Sequence, residues 1–546
     1  MKEHVQKVGG SKLLKGAAVL SIAAIFTKLL GMLQKIPMQN IGGDIVFGIY
    51  NTVYPFYTIL IMLATAGFPT AISRFVAERH AAGEEAGKRE VIRMASLVMT
   101  ILGVGGCLLM YFGAPFISRL IGSNQLIPAL KSSAPALLFV PLSAALRGYF
   151  QGLQDMMPTA VSQVTEQVVR VAVMIILLLY LSGLGSTDAV IAGGALAGST
   201  AGGIAGLFVM LMYWRSYRKH EGTMLGATNS PSRGASLPEQ GQGWPLLRSM
   251  LSYAIPICLA SLAIPLISLV DTFTLPRLLR ESGGEIETMM AVGVYNRGIP
   301  LVQLVTMIAT SLSVLFIPAM AELKMKGDHE GIRRQSTVAL RWFWLIGLAS
   351  SIGLAMLAKP INVMLYGDDV GSGTMAWIAW TAAPGALVTV SAALLQGLGY
   401  AKAPALHLLM AAAIKLVLNV LLVPQFGDDG AAIAGIAAYA VAAALNLALL
   451  LQRAGLALRV RDALLRPGAA ALALAAALAA LRLAGAELPP GRLAAAVEAL
   501  LGVLLGVAVF TAAVLRTRLL SEAELLALPR VGPKLLRVLR RLRLLR

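Results

Sequence analysis

Charge is scarce in this sequence. Only 13% of its 546 residues are Asp, Glu, Lys or Arg, while 57% are apolar and the mean hydropathy is +0.76. A soluble globular chain carries about 25% charged residues. So many apolar side chains cannot be hidden in a water-soluble core, which excludes a soluble enzyme and a disordered chain alike. Cysteine is nearly missing: Cys107 and Cys258 both sit inside apolar runs, so a disulfide framework is not expected and both read as small core hydrophobes. The histidines, His4, His80, His220, His329 and His407, are scattered, and no metal site is indicated. There is no Walker A pattern, which argues against ATP hydrolysis on this chain, and no Gly-x-Ser-x-Gly elbow or other catalytic constellation.

What the chain has in abundance is long hydrophobic runs. Stretches of about 20 apolar residues, each enough to span a bilayer as a helix, recur from Leu13 to Leu515. They predict an all-α polytopic membrane protein with 14 transmembrane helices. The spans run roughly 13–36, 45–72, 91–112, 128–150, 159–182, 188–214, 248–275, 288–320, 336–358, 373–397, 404–424, 430–452, 466–486 and 493–515. The basic start (Lys2, Lys7, Lys12, Lys15) resembles a signal-peptide n-region, but the apolar stretch is too long and Lys28 interrupts it. It reads as a retained first helix.

The net charge of +19 follows from topology. The N-terminus, the even-numbered connections and the C-terminal tail hold 33 of the 46 lysines and arginines; the opposite side holds eight, Lys35 among them. That asymmetry predicts both termini in the cytoplasm and leaves no support for nucleic-acid binding. The one long polar connection, about 215–247, contains "GATNSPSRGASLPEQGQG" and reads as a flexible linker. External connections are short, which counts against a membrane glycosyltransferase or polymerase.

An internal repeat divides the chain. Gly48, Tyr50, Asn51 and Pro55 recur as Gly293, Tyr295, Asn296 and Pro300, an offset of 245, and the same offset carries Gln151 onto Gln396 and Arg170 onto Lys415. The shift equals six helices, so the halves are expected to be parallel repeats with a site between them and rocking alternating access. The expected organisation is an N-terminal lobe at 1–222, a linker at 223–247, a C-terminal lobe at 248–455, two extra helices at 464–516 and a basic tail at 517–546. In "LPRVGPKLLRVLRRLRLLR" leucines and basic residues alternate at helical spacing, which predicts an amphipathic helix on anionic membrane lipids.

Polar residues inside spans need partners or an aqueous cavity, because a charge at the bilayer centre costs at least about 2.5–3.5 kcal/mol. Gln163, Glu166, Gln167 and Arg170 form one face of helix 5, and Glu166 and Arg170 can neutralise each other at i, i+4. Lys415 occupies the matching place on helix 11, and Asp271, in the outer part of helix 7, can pair with Arg277 or Arg280. For Lys28 and Arg297 no carboxylate close in sequence offers relief. Cations exceed carboxylates within the spans, which points to an anionic substrate, and arginine is the side chain best suited to phosphate. Gly194, Gly198, Gly202 and Gly206 form a small-residue stripe for close helix packing.

Several segments carry a family resemblance: "AAIFTKLLGMLQKIPM", "GIYNTVYPFYTILIMLATAGFPTAISRFVAE", "RGYFQGLQDMMPTAVSQVTEQVVR", "GVYNRGIPLVQ" and "LFIPAMAE". Through them the chain resembles the multidrug/oligosaccharidyl-lipid/polysaccharide (MOP) exporter superfamily over essentially its full length. Within it the match is to the stage V sporulation protein B-like branch, which includes Gram-positive lipid II flippases. The resemblance implies a flippase of the bacterial cytoplasmic membrane that moves a polyprenyl-pyrophosphate-linked sugar, lipid II foremost, to the outer leaflet. In such flippases helix 1 carries Ser/Thr-Arg-x-x-Gly and a second arginine; here Thr27, Lys28 and Gly31 match with lysine for arginine, while Gln34 replaces the second arginine beside Lys35. Arg297 follows Tyr295 and Asn296 as in the family, whereas the helix 2 arginine of Gram-negative enzymes has no counterpart near Phe56–Leu60. The implied head-group residues are Lys28, Arg297, Thr27, Gln34, Lys35, Asn51, Asn296 and Arg170. The family's two extra helices form a lipid-tail groove.

No cofactor is expected. Coupling to the membrane potential, H+ or Na+ stays open, with Asp271 and Glu166 as the carboxylates that could carry an ion. Besides the lipid-linked substrate, cell-wall synthesis proteins are candidate partners. The competing readings are an exporter of another lipid-linked polysaccharide, a cation-coupled multidrug antiporter, and a non-transporting scaffold for wall or spore assembly.

Overall fold

The structure, a computed structural model, describes residues 2–227, 243–456, 461–485, 491–517 and 519. Among these the chain is helical with no strand. Most of the expected linker and nearly all of the basic tail lie outside the described residues. Two compact units result, Met1–Gly293 and Val294–Arg546.

The first unit opens with α1 (Lys2–Leu33), α2 (Lys35–Thr65), α3 (Phe68–Ala81) and α4 (Glu85–Phe112). It continues through α5 (Ala114–Ile121), α6 (Ile127–Ser133), α7 (Ala136–Gly152), α8 (Met157–Gly183) and α9 (Asp188–Ala227). Next come α10 (Gly243–Ser261), α11 (Ala263–Leu278) and α12 (Glu285–Asn296), whose last turn passes the unit boundary. Prolines set several starts: Pro69, Pro115 and Pro158 occupy the first turns of α3, α5 and α8, where a missing N–H costs nothing. Tyr50, Tyr57, Leu137 and Met174 centre one core cluster, and Phe68, Met99, Tyr149 and Phe150 centre another.

The second unit holds α13 (Ile299–Ser313), α14 (Phe316–Met325), α15 (His329–Met356), α16 (Ala358–Tyr366) and α17 (Ser372–Ala379). It ends with α18 (Ala382–Gly397), α19 (Lys402–Ala454), α20 (Arg466–Gly485) and α21 (Arg492–Arg516). Leu340, Phe343 and Leu394 lie in one of its cores, and Ile352, Leu474 and Leu478 in another, so the expected extra helices are packed in rather than appended.

Among the described residues, 11 helical stretches are long and apolar enough to cross a membrane. Two of these runs contain a break at a glycine in the left-handed region, Gly43 at φ 77° and Gly427 at φ 56°, where the expected helices 1 and 2, and 11 and 12, meet. The expected helix 7 is split into α10 and α11. Large apolar side chains such as Ile101, Phe112, Phe208 and Leu504 remain exposed, as a lipid-facing surface requires.

The repeat has a physical point of contact. A Cβ on Gly48 would overlap the Met289 carbonyl oxygen, and one on Gly293 would overlap the carbonyl oxygen of Asp44. Repeat-related glycines thus let α2 and α12 cross backbone to backbone.

Candidate functional site

The polar face of α8 survives intact, because α8 is helical throughout and its spacing of three and four residues stacks Gln163, Glu166, Gln167 and Arg170 together. The glycine stripe of α9 lies against it. A Cβ on Gly202 would come within 2.6 Å of the Glu166 carbonyl oxygen, and one on Gly206 within 3.1 Å of Glu166 Oε2. From the other side α1 approaches at Gly31, where a Cβ would lie 3.3 Å from Gln167 Nε2. Small residues on two neighbours therefore close over one polar helix face.

Glu166 holds two arginines. Its Oε1 accepts from Arg170 Nη2 at 2.9 Å, and its Oε2 accepts from Arg147 Nη2 at 2.7 Å. Arg147, from α7, also donates to Ser162 Oγ from Nε at 3.2 Å and Nη2 at 2.8 Å. Ser162 in turn donates to the Gly206 carbonyl at 2.9 Å. The i, i+4 neutralisation read from sequence is only half of this arrangement, since one carboxylate between two guanidinium groups leaves a surplus positive charge.

The two arginines differ in what they have left to give. Arg147 is engaged on both sides, whereas Arg170 Nε is buried with no hydrogen-bond partner among the described residues. Arg170 lies within electrostatic range of Tyr50, Tyr54 and Tyr57. Gln34 donates to the Tyr50 hydroxyl at 3.4 Å, and Tyr50 stacks on Tyr54 with ring centroids 5.5 Å apart. Gln34 Oε1 and Gln163 Oε1 are also buried without a hydrogen-bond partner among the described residues. Orphaned polar atoms of this kind call for water or a ligand. Gln34 and Arg170 are thus brought into one cluster with three tyrosines.

The other expected residues are dispersed. Thr27 donates to the Ala24 carbonyl at 3.0 Å within its own helix, and Lys28 is exposed with no hydrogen-bond or ion-pair partner among the described residues. Lys35, counted from sequence with the basic residues of the exterior side, is found inside a helix. The helix runs past it to Gly42 and buries it to 7% exposure, with no partner among the described residues. Asn51 donates to the Phe47 carbonyl at 2.8 Å, so its amide is taken up by its own helix. Asp271 and Asn296 are half-buried and each engages a neighbouring group.

Arg297, in the second unit, is 1% exposed and is not without a carboxylate. Nη1 meets Asp368 Oδ1 at 2.5 Å and Nη2 meets Oδ2 at 3.1 Å. Nη1 also contacts Asn362 Oδ1 at 3.4 Å and the Val370 carbonyl at 3.3 Å. The guanidinium stacks 5.3 Å from the Tyr366 ring, whose hydroxyl donates to the Arg297 carbonyl at 3.0 Å. Hydrogen bonding from Arg297 holds the Asp368 carboxyl below its ordinary range. The relief that local sequence did not supply comes from a loop 71 residues away.

The second repeat lacks the charged trio. Lys415 is buried at the position matching Arg170, but Ala392 and Ala411 stand where Arg147 and Glu166 would be. His407 takes the place of Ser162, with Nδ1 at 2.7 Å from Asn446 Oδ1, and Asn446 donates to Ser391 Oγ at 3.0 Å. Sequence reasoning missed Arg147 and Asp368. The signal for Arg147 was its position three residues inside a predicted span end.

Comparison with known proteins adds three kinds of finding. The family described as polysaccharide biosynthesis protein matches residues 13–324. Among curated proteins of Bacillus subtilis (strain 168), the uncharacterized membrane protein YabM is 34% identical over 531 residues, covering 96% of each chain. Lipid II flippase MurJ is 28% identical over 470 residues, covering 82% of this chain and 84% of that protein. Stage V sporulation protein B is 27% identical, covering 77% and 80%. Among solved structures, an inward closed lipid II flippase MurJ has a TM-score of 0.63 at 13% identity, covering 91% of this chain and 98% of that one. An inward-facing MATE family multidrug transporter of the MOP superfamily has a TM-score of 0.62 at 17% identity, covering 81% and 98%.

Proposed function

Because the chain belongs to the polysaccharide biosynthesis protein family of the MOP superfamily, we propose that it is a flippase for a polyprenyl-pyrophosphate-linked sugar, with lipid II as the substrate. It is a multi-pass membrane transporter rather than an enzyme. The observation that carries the anionic head group is the sign of the buried charge. Every charged side chain buried among the described residues is a cation: Lys35, Lys88, Arg147, Arg297 and Lys415. Three of them hold a carboxylate, Lys88–Glu85, Arg147–Glu166 and Arg297–Asp368, but Glu166 is shared with Arg170, so the positive excess that favours a visiting anion lies at the Arg147–Glu166–Arg170 trio and at Lys35.

In this reading Arg170, Gln34 and the exposed Lys28, all of the first unit, meet the pyrophosphate and first sugar. Arg297 engages a phosphate only by exchanging it for Asp368. Both termini are cytoplasmic, and the inside-negative membrane potential favours outward passage of the anionic head group. The similarity to a lipid II flippase, 28% identical over 82% of this chain, supports the class.

The test is complementation of a strain depleted of its lipid II flippase. Growth with normal morphology is the expected outcome. Failure despite normal membrane insertion would remove lipid II and leave another polyprenyl-linked sugar to be assayed in proteoliposomes. Flipping unaffected by collapse of the potential would remove the energetic part of the reading.

A further inference from the structure

The first unit has a second feature that the transport reading does not use. Where α4, α7 and α9 meet at one end of the bundle, a cleft of about 480 Å³ opens. Its walls are apolar and aromatic, with Leu142, Tyr149, Leu207 and Trp214 among them. Tyr149 is buried and meets Trp214 edge to face, with centroids 5.0 Å apart. Three arginines, Arg89 and Arg93 from α4 and Arg218 from α9, complete the lining, and no acidic side chain is among the residues that line it.

The order of residues along the two helices gives the cleft a polarity. On α4, Arg89, Arg93 and Ser96 lie on one face, and the exposed Leu97 and Ile101 follow further along the helix. On α9, read in the opposite direction, Arg218 comes first and then Trp214, Leu211 and Leu207. Arginines gather at one end, a tryptophan sits beside them, and apolar wall continues toward the exposed hydrophobic belt. That is the sequence of environments met on passing from lipid head groups into acyl chains. Arg93 and Arg218 are exposed and have no hydrogen-bond or ion-pair partner among the described residues.

We propose that this cleft is a binding site for an anionic diacyl phospholipid, whose phosphate is held by Arg93 and Arg218 with Arg89 beside them and whose acyl chain lies along Leu142, Leu207 and Trp214. The planar guanidinium fork suits a phosphate, and the apolar walls suit an acyl chain. Such a lipid would tie α4 to α9 across α7. The site shares no residue with the Arg147–Glu166–Arg170 cluster and stands whatever sugar-lipid the protein carries.

The test uses the purified full chain in nanodiscs of mixed phosphatidylglycerol and phosphatidylcholine with identical acyl chains, followed by native mass spectrometry of retained lipid. The unaltered chain should retain phosphatidylglycerol in preference to phosphatidylcholine by roughly tenfold or more, and an Arg93→Gln, Arg218→Gln double variant should bring that ratio close to one. Both side chains are exposed, so the double variant should fold. An Arg333→Gln, Arg334→Gln variant, which removes two exposed charges from the second unit, should keep the preference. Equal retention of both lipids, or equal loss in both variants, would overturn the proposal in favour of general surface attraction. A Leu142→Trp variant, filling the cleft, should also release the lipid; its unchanged retention in a folded variant would place the lipid elsewhere and overturn the site.

Discussion

Arg297 grips Asp368 with both arms of its guanidinium group, at 2.5 and 3.1 Å, while burying itself to 1% exposure. The aspartate stays half-exposed, with a side-chain exposure of 46%. One member of the pair is therefore structural by burial and the other is reachable. Arg297→Ala should remove the pair, the Asn362 contact and the Tyr366 stack together, and lower stability by about 1–3 kcal/mol, less than for a pair buried at both ends. Thermal unfolding in detergent measures this. A loss of complementation with unchanged unfolding would instead mark Arg297 as a ligand for substrate alone.

The same pair gives a pH dependence. Asp368 has a folded pKa depressed by Arg297, so its contribution is present above the unfolded value of about 3.9 and is lost as pH falls through the lower folded value. Asp368→Asn removes that term. The unaltered chain should lose stability on acidification below about pH 4 more steeply than the variant, as read from unfolding temperatures across a pH series. Parallel curves would show that the pair contributes nothing to the acid limb.

The charged trio of the first unit separates support from function. Arg147 spends its donors on Glu166 and Ser162, whereas Arg170 keeps Nε unused within electrostatic range of three tyrosines. Arg147→Gln should lower stability by about 2–4 kcal/mol, because it strips a carboxylate that is only 12% exposed of one partner. Arg170→Gln should cost less in stability and more in transport per folded molecule. Glu166→Gln should damage both, and a cycle with Arg147→Gln should show a coupling of about 1 kcal/mol or more. Equal transport loss per folded molecule from Arg147→Gln and Arg170→Gln would dissolve the distinction.

Helices and their order were legible because an apolar span is a local property. So were the α8 face and the glycine stripe of α9, since each depends on spacing within one helix, though not that the two meet. What could not be read were pairings between elements. Arg147 meets Glu166 across two helices, and Asp368 reaches Arg297 from a loop. The burial of Lys35 is likewise set by what packs around it, because the helix continues past it to Gly42. The break was decided by Gly43, whose φ of 77° few other residues adopt.

The repeat itself makes a demand at Gly48 and Gly293. Each lies where its Cβ would overlap a carbonyl oxygen of the other helix, Met289 for Gly48 and Asp44 for Gly293. Backbone cannot retreat as a flexible side chain can, so the helices must separate. Gly48→Ala should cost about 1–3 kcal/mol, as overpacking does, and Gly293→Ala a similar amount. The two sites share one crossing, so their effects should not add: once the first alanine has forced α2 and α12 apart, the second finds room. Thermal unfolding of both single variants and the double measures this. A double variant as damaged as the sum of the singles would mean that the glycines act independently and that the crossing is not one shared contact.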